Sequence, residues 1–371
     1  MKTRTNSATW HEKYQRWQIQ VQMDGVRRTF YSSTPGTAGK REAHAKADAW
    51  LRTGVAQSGR RVNVIADEWL ETLKPTREGQ SSSNYRQHEY MMRVHILPKI
   101  GKKRVTDLSN GDIQRVIDAA AKSGLSKKTL QNIRGCCVAF AKYCRKNRYA
   151  DLVVEDIDIP RDAPKVRKDI LQPDAVQTVM TVNTRFNRGK PEEDYYVNAY
   201  RWQLVTGMRP GEMIARTKAD VRDGYVYVTS ARNTYGELTR GKNDNAVRRI
   251  KLTPMAEQIL RDQADAERRF GISSTLLFPS LDGGYIEERE LYKRWKKYQA
   301  DNGIDHISLY ELRHTFVSIC AENVPEALLK LVVGHSESMD TEGVYGHMVN
   351  GQLERAADAI MASFGFVQNQ N

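Results

Sequence analysis

The chain has 371 residues, enough for two or three domains, and a formal net charge of +13. The surplus sits at the front: 11 Lys and Arg face 4 Asp and Glu in residues 1–60, 18 face 12 in 61–160, and 29 face 29 in 161–371. Neutralising phosphates is the usual use of such a bias. No lipidation motif, signal core or run of about 18 apolar residues favours a membrane instead. The four cysteines (Cys136, Cys137, Cys144, Cys320) lack disulfide-framework or zinc spacing, and the expectation is a cytoplasmic nucleic-acid-binding protein without a membrane partner.

In chain order, Trp17, Ile19 and Val21 alternate up to Asp24-Gly25, and Arg27-Arg28-Thr29-Phe30-Tyr31 follows, which predicts a β-hairpin. A helix over 41–51 would pack Ala43, Ala47, Trp50 and Leu51 on it, leaving Arg16, Arg27 and Arg28 exposed toward DNA. Gly54–Gly59 reads as a linker. Residues 61–160 read as a four- or five-helix bundle with basic ends. Val64, Trp69 and Leu70 mark one helix, and Ser81-Ser82-Ser83-Asn84 offers caps for the next. His95-Ile96-Leu97-Pro98-Lys99-Ile100-Gly101 is a helix stop, and residues 106–113 cap a further helix. Ser126 opens the helix that carries Thr129, Ile133, Cys137, Phe140 and Tyr143. Lys99, Lys102, Lys103, Lys127 and Lys128 are the candidate DNA contacts at the bundle ends. Residues 158–168 read as an interdomain linker.

Residues 169–371 mix helices, predicted at 173–182, 194–206, 210–216, 254–269, 287–301, 310–322 and 352–363, with strands at 225–228 and 248–252. Arg209 precedes a helix whose first residue is Pro210, beside the positive helix end, and Glu212 is placed to orient it. Leu309, Leu312 and Phe316 define a buried face that holds Arg313 at a core edge, where a guanidinium needs a partner such as a phosphate or an internal carboxylate. Lys242, in the turn between the strands, can reach into a groove and donate a proton. His335 follows Gly334 at a helix end, and His347 reads as structural. Tyr345 supplies a phenol, a poor nucleophile at neutral pH unless cations hold a phosphate in line with it. Two arginines, histidines and a phenol are the parts for breaking a phosphodiester without a metal, so no cofactor is expected.

The ordered set Arg209, Lys242, Tyr310-Glu311-Leu312-Arg313-His314, Gly334-His335 and Tyr345 resembles the tyrosine recombinases, specifically phage and mobile-element integrases. The resemblance covers nearly the whole chain. It implies a multidomain, mainly α protein with small β-sheets: an arm-type DNA-binding domain in 1–55, a helical core-binding domain in 61–160, and an α+β catalytic domain in 169–371 with a C-terminal tail helix. It implies that Tyr345 attacks DNA to form a 3′-phosphotyrosyl link. Arg209 and Arg313 would clamp the phosphate, Lys242 would protonate the leaving 5′ oxygen, and His335 would add a hydrogen bond. Glu212 and His314 would support the site from behind. The family usually has histidine, sometimes lysine, where this chain has Tyr310. A phenol is a weak acid–base group near pH 7, so Tyr310 is assigned to positioning the phosphate. The implied partners are double-stranded attachment-site DNA, three further protomers in a homotetramer, an excisionase and a host DNA-bending protein. The apolar face of the tail helix (Leu353, Ala356, Ala357, Ile360, Met361, Phe364) would dock on a neighbouring protomer, with packing on its own domain as the alternative. The alternatives are a chromosome-dimer-resolving recombinase, a type IB topoisomerase and a DNA-binding regulator with a decayed site.

Overall fold

The computed structural model describes residues 6–23, 26–53, 60–76, 80–165, 168–239, 247–334 and 351–365. The chain forms two compact units, one made of residues 1–75 and 82–166 and the other of 76–81 and 167–371.

The first unit has two separate apolar cores. In the smaller, strands β1 (Thr9–His11), β2 (Arg16–Met23) and β3 (Val26–Ser32) form an antiparallel sheet in that order, against helix α1 (Gly36–Thr53). The register pairs Ile19 with Phe30 and Val21 with Arg28, so these four share one face; Gln22 and Arg27 share the other. Ile19, Val21, Ala43, Ala47 and Trp50 are the buried residues between sheet and helix. This alternation corrects the expectation that the three arginines are exposed together. Arg27 is exposed. Arg28, one residue on, turns to the helix side, lies 5.5 Å over the Phe30 ring and lines a cavity of about 430 Å³ with Lys46, Trp50 and Arg104. Arg16 is half-buried, its guanidinium 3.9 Å from the Tyr31 ring centre and 5.0 Å from that of Tyr14.

The larger core is a helical bundle. Helix α2 (Val62–Leu73) buries Val62, Ile65, Ala66, Trp69 and Leu70, whereas Val64, expected inside, points to solvent. Helix α3 (Ser83–Tyr90) runs on through a wider π turn over Met91–Ile96 into α4 (Leu97–Ile100) and ends only at Gly101. The predicted stop at 95–101 is thus helical nearly to its end, since Pro98 falls in the first turn of α4, where its missing N–H costs little. Helix α5 (Asn110–Lys122) begins with a reciprocal cap between Ser109 and Asp112, and Ser126 caps α6 (Lys127–Lys146) through the Thr129 N–H. Leu130, Ile133, Cys136, Cys137, Phe140 and Cys144 form the buried face of α6, and its thiols are free and buried.

In the second unit α8 (Val197–Thr206) is buried at every position and packs against α7 (Pro173–Thr181), α10 (Pro254–Phe270) and α12 (Leu309–Cys320). A helix surrounded by protein puts its C-terminus deep in the fold, which is where the site begins. Gly207 closes it with φ +63°, and a Cβ there would meet Phe316 Cδ1 at 2.4 Å, so only glycine fits. Beyond it come the short helix α9 (Pro210–Ile214), β6 (Val221–Arg222), β7 (Tyr225–Val228), β8 (Ala231–Arg232), β9 (Leu238–Thr239) and β10 (Arg248–Lys251). Strands β10, β7 and β6 form an antiparallel sheet in that order. Helix α11 (Glu288–Asp301) adds Trp295 and Tyr298 to the core. Not foreseen were the hairpin β4 (Thr184–Asn187) with β5 (Lys190–Glu193), the hairpin β8–β9 and the short strand β6, whereas the helix end expected at Gly334 closes helix α13 (Glu326–Val333).

The tail helix α14 (Gln352–Ser363) does not leave its own unit. Leu353, Ala356, Ala357, Ile360 and the following Phe364 are buried there, and Phe364 stacks on Phe316 with ring centres 6.5 Å apart. Asn323 donates to the Ser363 hydroxyl at 3.1 Å, and the Tyr225 hydroxyl donates to Glu354. The apolar face assigned to a neighbouring protomer is therefore covered in cis.

Asp112 gives the bundle a pH-dependent tie. Burial opposes its charge, but Lys103, the Ser109 hydroxyl and the Ser109 N–H outweigh this and hold its carboxyl at about 2, below the ordinary 3.8. A depressed carboxyl stabilises fully above its unfolded value and loses that contribution as the pH falls through the folded one. Asp112→Asn is expected to cost about 1 kcal/mol or more at pH 7 by loss of the cap and its cations. Melting temperatures of the two proteins should converge as the pH drops below 4.

Candidate active site

Three arginines from three elements meet around one carboxylate. Arg209 sits at the N-terminus of α9 and is about one-third exposed. Its Nη1 donates to Glu212 Oε1 at 2.7 Å and its backbone N–H to Oε2 at 2.9 Å, so a single glutamate fixes both ends of the residue. Its Nη2 donates to the carbonyl of Gly334 at 3.2 Å, at the C-terminal end of α13. Glu212 is buried and accepts a second, bidentate pair from Arg248 of β10, at 3.1 and 2.9 Å. Burial would raise the Glu212 carboxyl, yet Arg248 first and Arg209 next hold it at about 2. It is a permanent anion between two cations.

Arg313 is different. It is 2% exposed on α12, and its Nη1 donates to the Gly207 carbonyl at 2.8 Å. Its buried Nη2 has no hydrogen-bond partner among the described residues. Arg216, by contrast, is saturated: it donates to the carbonyls of Glu212, Tyr227 and Ser230 and to the Thr229 and Ser230 hydroxyls. Arg201 donates through Nε and Nη2 to Val179, Val182 and Asn183 and leaves no buried donor unmet among the described residues. Burial, then Arg209, lowers the Arg313 guanidinium to about 10. Glu311 is not its counter-ion, because that carboxylate is spent on the N–H groups of Ser308 at 2.6 Å and Asp169 at 3.0 Å. A buried donor facing another cation is a site for an anion from outside.

Tyr310, one turn before His314, has its phenol against the Arg209 guanidinium, whose pKa it helps to raise. Its ring meets the His314 ring at 5.3 Å, edge to face, and Lys168 lies 5.6 Å from its centre. Burial and then Lys168 lower the His314 pKa, so His314 is neutral at pH 7; its Nε2 is buried without a hydrogen bond among the described residues. Arg209, Glu212, Tyr310, Arg313 and His314 are thus gathered at one place. Lys242, His335, Tyr345 and His347 lie outside the described residues. The residue that sequence reading missed is Arg248. Its signal was the alternation of Arg248-Arg249-Ile250-Lys251: Arg248 shares the inward face with the buried Ile250.

Residues 169–350 match the phage integrase family, and residues 63–120 match the phage integrase N-terminal SAM-like domain. This chain belongs to the phage integrase family. An integrase of Streptomyces ambofaciens is 25% identical over 94% of this chain and 93% of its own length. The tyrosine recombinase XerC of Corynebacterium glutamicum is 24% identical over 81% of this chain and 92% of its own. Among solved structures, the Tn1549 transposon integrase bound to transposon right-end DNA superposes with a TM-score of 0.60 at 18% identity, over 82% of this chain and 99% of that one. A lambda integrase tetramer bound to a Holliday junction gives 0.59 at 12% identity, over 91% and 98%. At these identities the likeness speaks for the fold.

The expected DNA contacts of this integrase-family chain fall into different settings. Arg27, Lys99, Lys102 and Lys128 are exposed. Lys103 is exposed as well, but its ammonium is engaged by the buried Asp112, which Arg115 also contacts. Lys127 and Lys128 occupy the first turn of α6, where their charges are unfavourable for the helix dipole but suited to a phosphate.

Replacing Arg313 should separate stability from chemistry. Arg313→Met removes a buried cation that repels Arg209 and one hydrogen bond, so the melting temperature should move by no more than about 1 kcal/mol equivalent. Single-turnover DNA cleavage should fall by about 100-fold or more. Unfolding curves and cleavage rates on the same preparations check both.

Proposed function

We propose that the chain is a site-specific DNA recombinase, an integrase that cuts and rejoins DNA to insert or excise a phage or mobile element. The observation that carries this is the Arg209–Arg313 pair: two guanidiniums side by side, one buried with an unmet donor among the described residues. They fit the two non-bridging oxygens of a phosphodiester, where charge builds during in-line attack.

In this reading Tyr345 loses its phenol proton to solvent, its Oη bonds to phosphorus, the bond from phosphorus to the 5′ oxygen breaks, and Lys242 gives that oxygen a proton. The product is a 3′-phosphotyrosyl enzyme and a free 5′-hydroxyl. The covalent link keeps the bond energy, and attack by the 5′-hydroxyl of another strand reverses the step and rejoins DNA. His335 adds a hydrogen bond to the phosphate, and Tyr310, beside Arg209, positions it. Residues 1–55 are assigned to accessory arm sites, 61–160 to the core site and 169–371 to catalysis. The active form is a tetramer on paired duplexes, as in the lambda integrase complex with a Holliday junction. An excisionase and a DNA-bending protein are assigned as regulators of direction. The basic, sheet-bearing N-terminal module favours an integrase over a chromosome-dimer-resolving recombinase.

The test is a nicked suicide duplex that carries the crossover site. The wild-type chain should form a covalent adduct stable to denaturation, and Tyr345→Phe should form none while binding the same duplex within about threefold. Undiminished recombination by Tyr345→Phe would end this reading.

A further inference from the structure

Arg209 is held by two acceptors, the Glu212 carboxylate and the Gly334 carbonyl, at opposite ends of its guanidinium. Arg248 secures the supports of both. Its Nη1 and Nη2 clamp the Glu212 carboxylate, and its Nε donates at 2.7 Å to the carbonyl of Val332, two residues before Gly334 in the last turn of α13. The Arg248 side chain is 7% exposed, so it is set behind the site rather than in the groove. We propose that Arg248 is a positioning residue: it fixes the buried Glu212 and the end of α13, and through them sets Arg209 against the scissile phosphate.

The electrostatics supply a signature that simple scaffolding lacks. Among the described residues, the ionisable groups around Glu212 are Arg209 and Arg216 from its own segment, Arg248 from β10, and Arg313 with the Tyr310 phenol from α12. Only Arg209 and Arg248 donate side-chain hydrogen bonds to the carboxylate among the described residues. Arg248 is the larger of these two influences on its charge. Without Arg248 the burial of Glu212 is no longer offset, its carboxyl titrates at higher pH, and the protonated form gives up its hold on Arg209. In the wild type Glu212 is depressed, so its stabilisation is complete above its unfolded value near 4.5 and is lost only as pH falls toward 2.

This inference rests on the recombinase reading, and two readouts keep them apart. The first is the rate of covalent adduct formation on a saturating nicked suicide duplex between pH 5 and 9. R248Q should be slower by about 100-fold at neutral pH, with an acid limb shifted upward relative to wild type. R248K should recover at least about tenfold, and R248Q/E212Q should lose the shifted limb. The second readout needs no catalysis: melting temperature against pH for the DNA-free proteins. The share of the wild-type gain that Glu212 supplies as pH rises from about 2 to 4.5 should shrink or reverse in R248Q and be missing from R248Q/E212Q, while the share of Asp112 stays in all three proteins. The double variant removes both partners of the buried pair and is expected to fold even where R248Q is weakened. A wild-type pH–rate shape in R248Q, no rescue by R248K, or a wild-type melting profile in R248Q overturns the role of Arg248. Absence of any wild-type adduct overturns the recombinase reading instead, and the melting profiles still decide on Arg248.

Discussion

One buried carboxylate organises the second unit. Glu212 draws Arg209 from the start of α9 and Arg248 from the sheet to the same two oxygens, and Arg248 extends the tie to α13. Removing a charge pair from water is costly unless every lone pair is used, and here each oxygen accepts two hydrogen bonds. The carboxylate thereby cancels one positive charge of the three brought together by Arg209, Arg248 and Arg313. The remaining excess is a standing demand for an anion. That demand explains why Arg313, unlike Arg201 and Arg216, keeps a buried donor unmet among the described residues.

The fold follows from this demand. A guanidinium is held unsaturated only if its backbone cannot drift, and α8 provides that rigidity by being buried on all sides. Its C-terminal glycine turns the chain in a left-handed conformation against Phe316, and the freed Gly207 carbonyl takes one donor of Arg313. Packing of α14 in cis covers Phe316 from the other side. The core therefore dictates where the clamp stands. In the proposed function the first unit contributes differently, through basic side chains such as Arg27, Lys99, Lys102 and Lys128, whose contact with a polyanion would be electrostatic and tolerant of local geometry.

Much of this was legible in the sequence because each feature had a local cause. Pro210 and Glu212 mark a helix start, the Leu309–Leu312–Phe316 spacing buries the face beside Arg313, and serines mark the caps of α5 and α6. What was missed had a non-local cause or a weak pattern. The β4–β5 hairpin is polar, with Pro191 in one strand and Arg188-Gly189 at its turn, so it lacks an alternating apolar signal. Arg28 looked like Arg27 until the pleat put them on opposite faces, and Lys103 looked free until Asp112 nine residues on was found buried beneath it. Arg248 read as one more charge on a strand. Its function lies in a carboxylate 36 residues away, which no local rule could pair with it.

Completion of Arg313 by the charge of a DNA phosphate is measured by a thermodynamic cycle. Dissociation constants would be determined for wild type and Arg313→Met, each on a duplex with a normal scissile phosphodiester and on one with a neutral methylphosphonate at that linkage. The neutral linkage is expected to weaken wild-type binding by about tenfold or more, and most of this loss should disappear in Arg313→Met. An equal loss in both proteins, or none in the wild type, would contradict it.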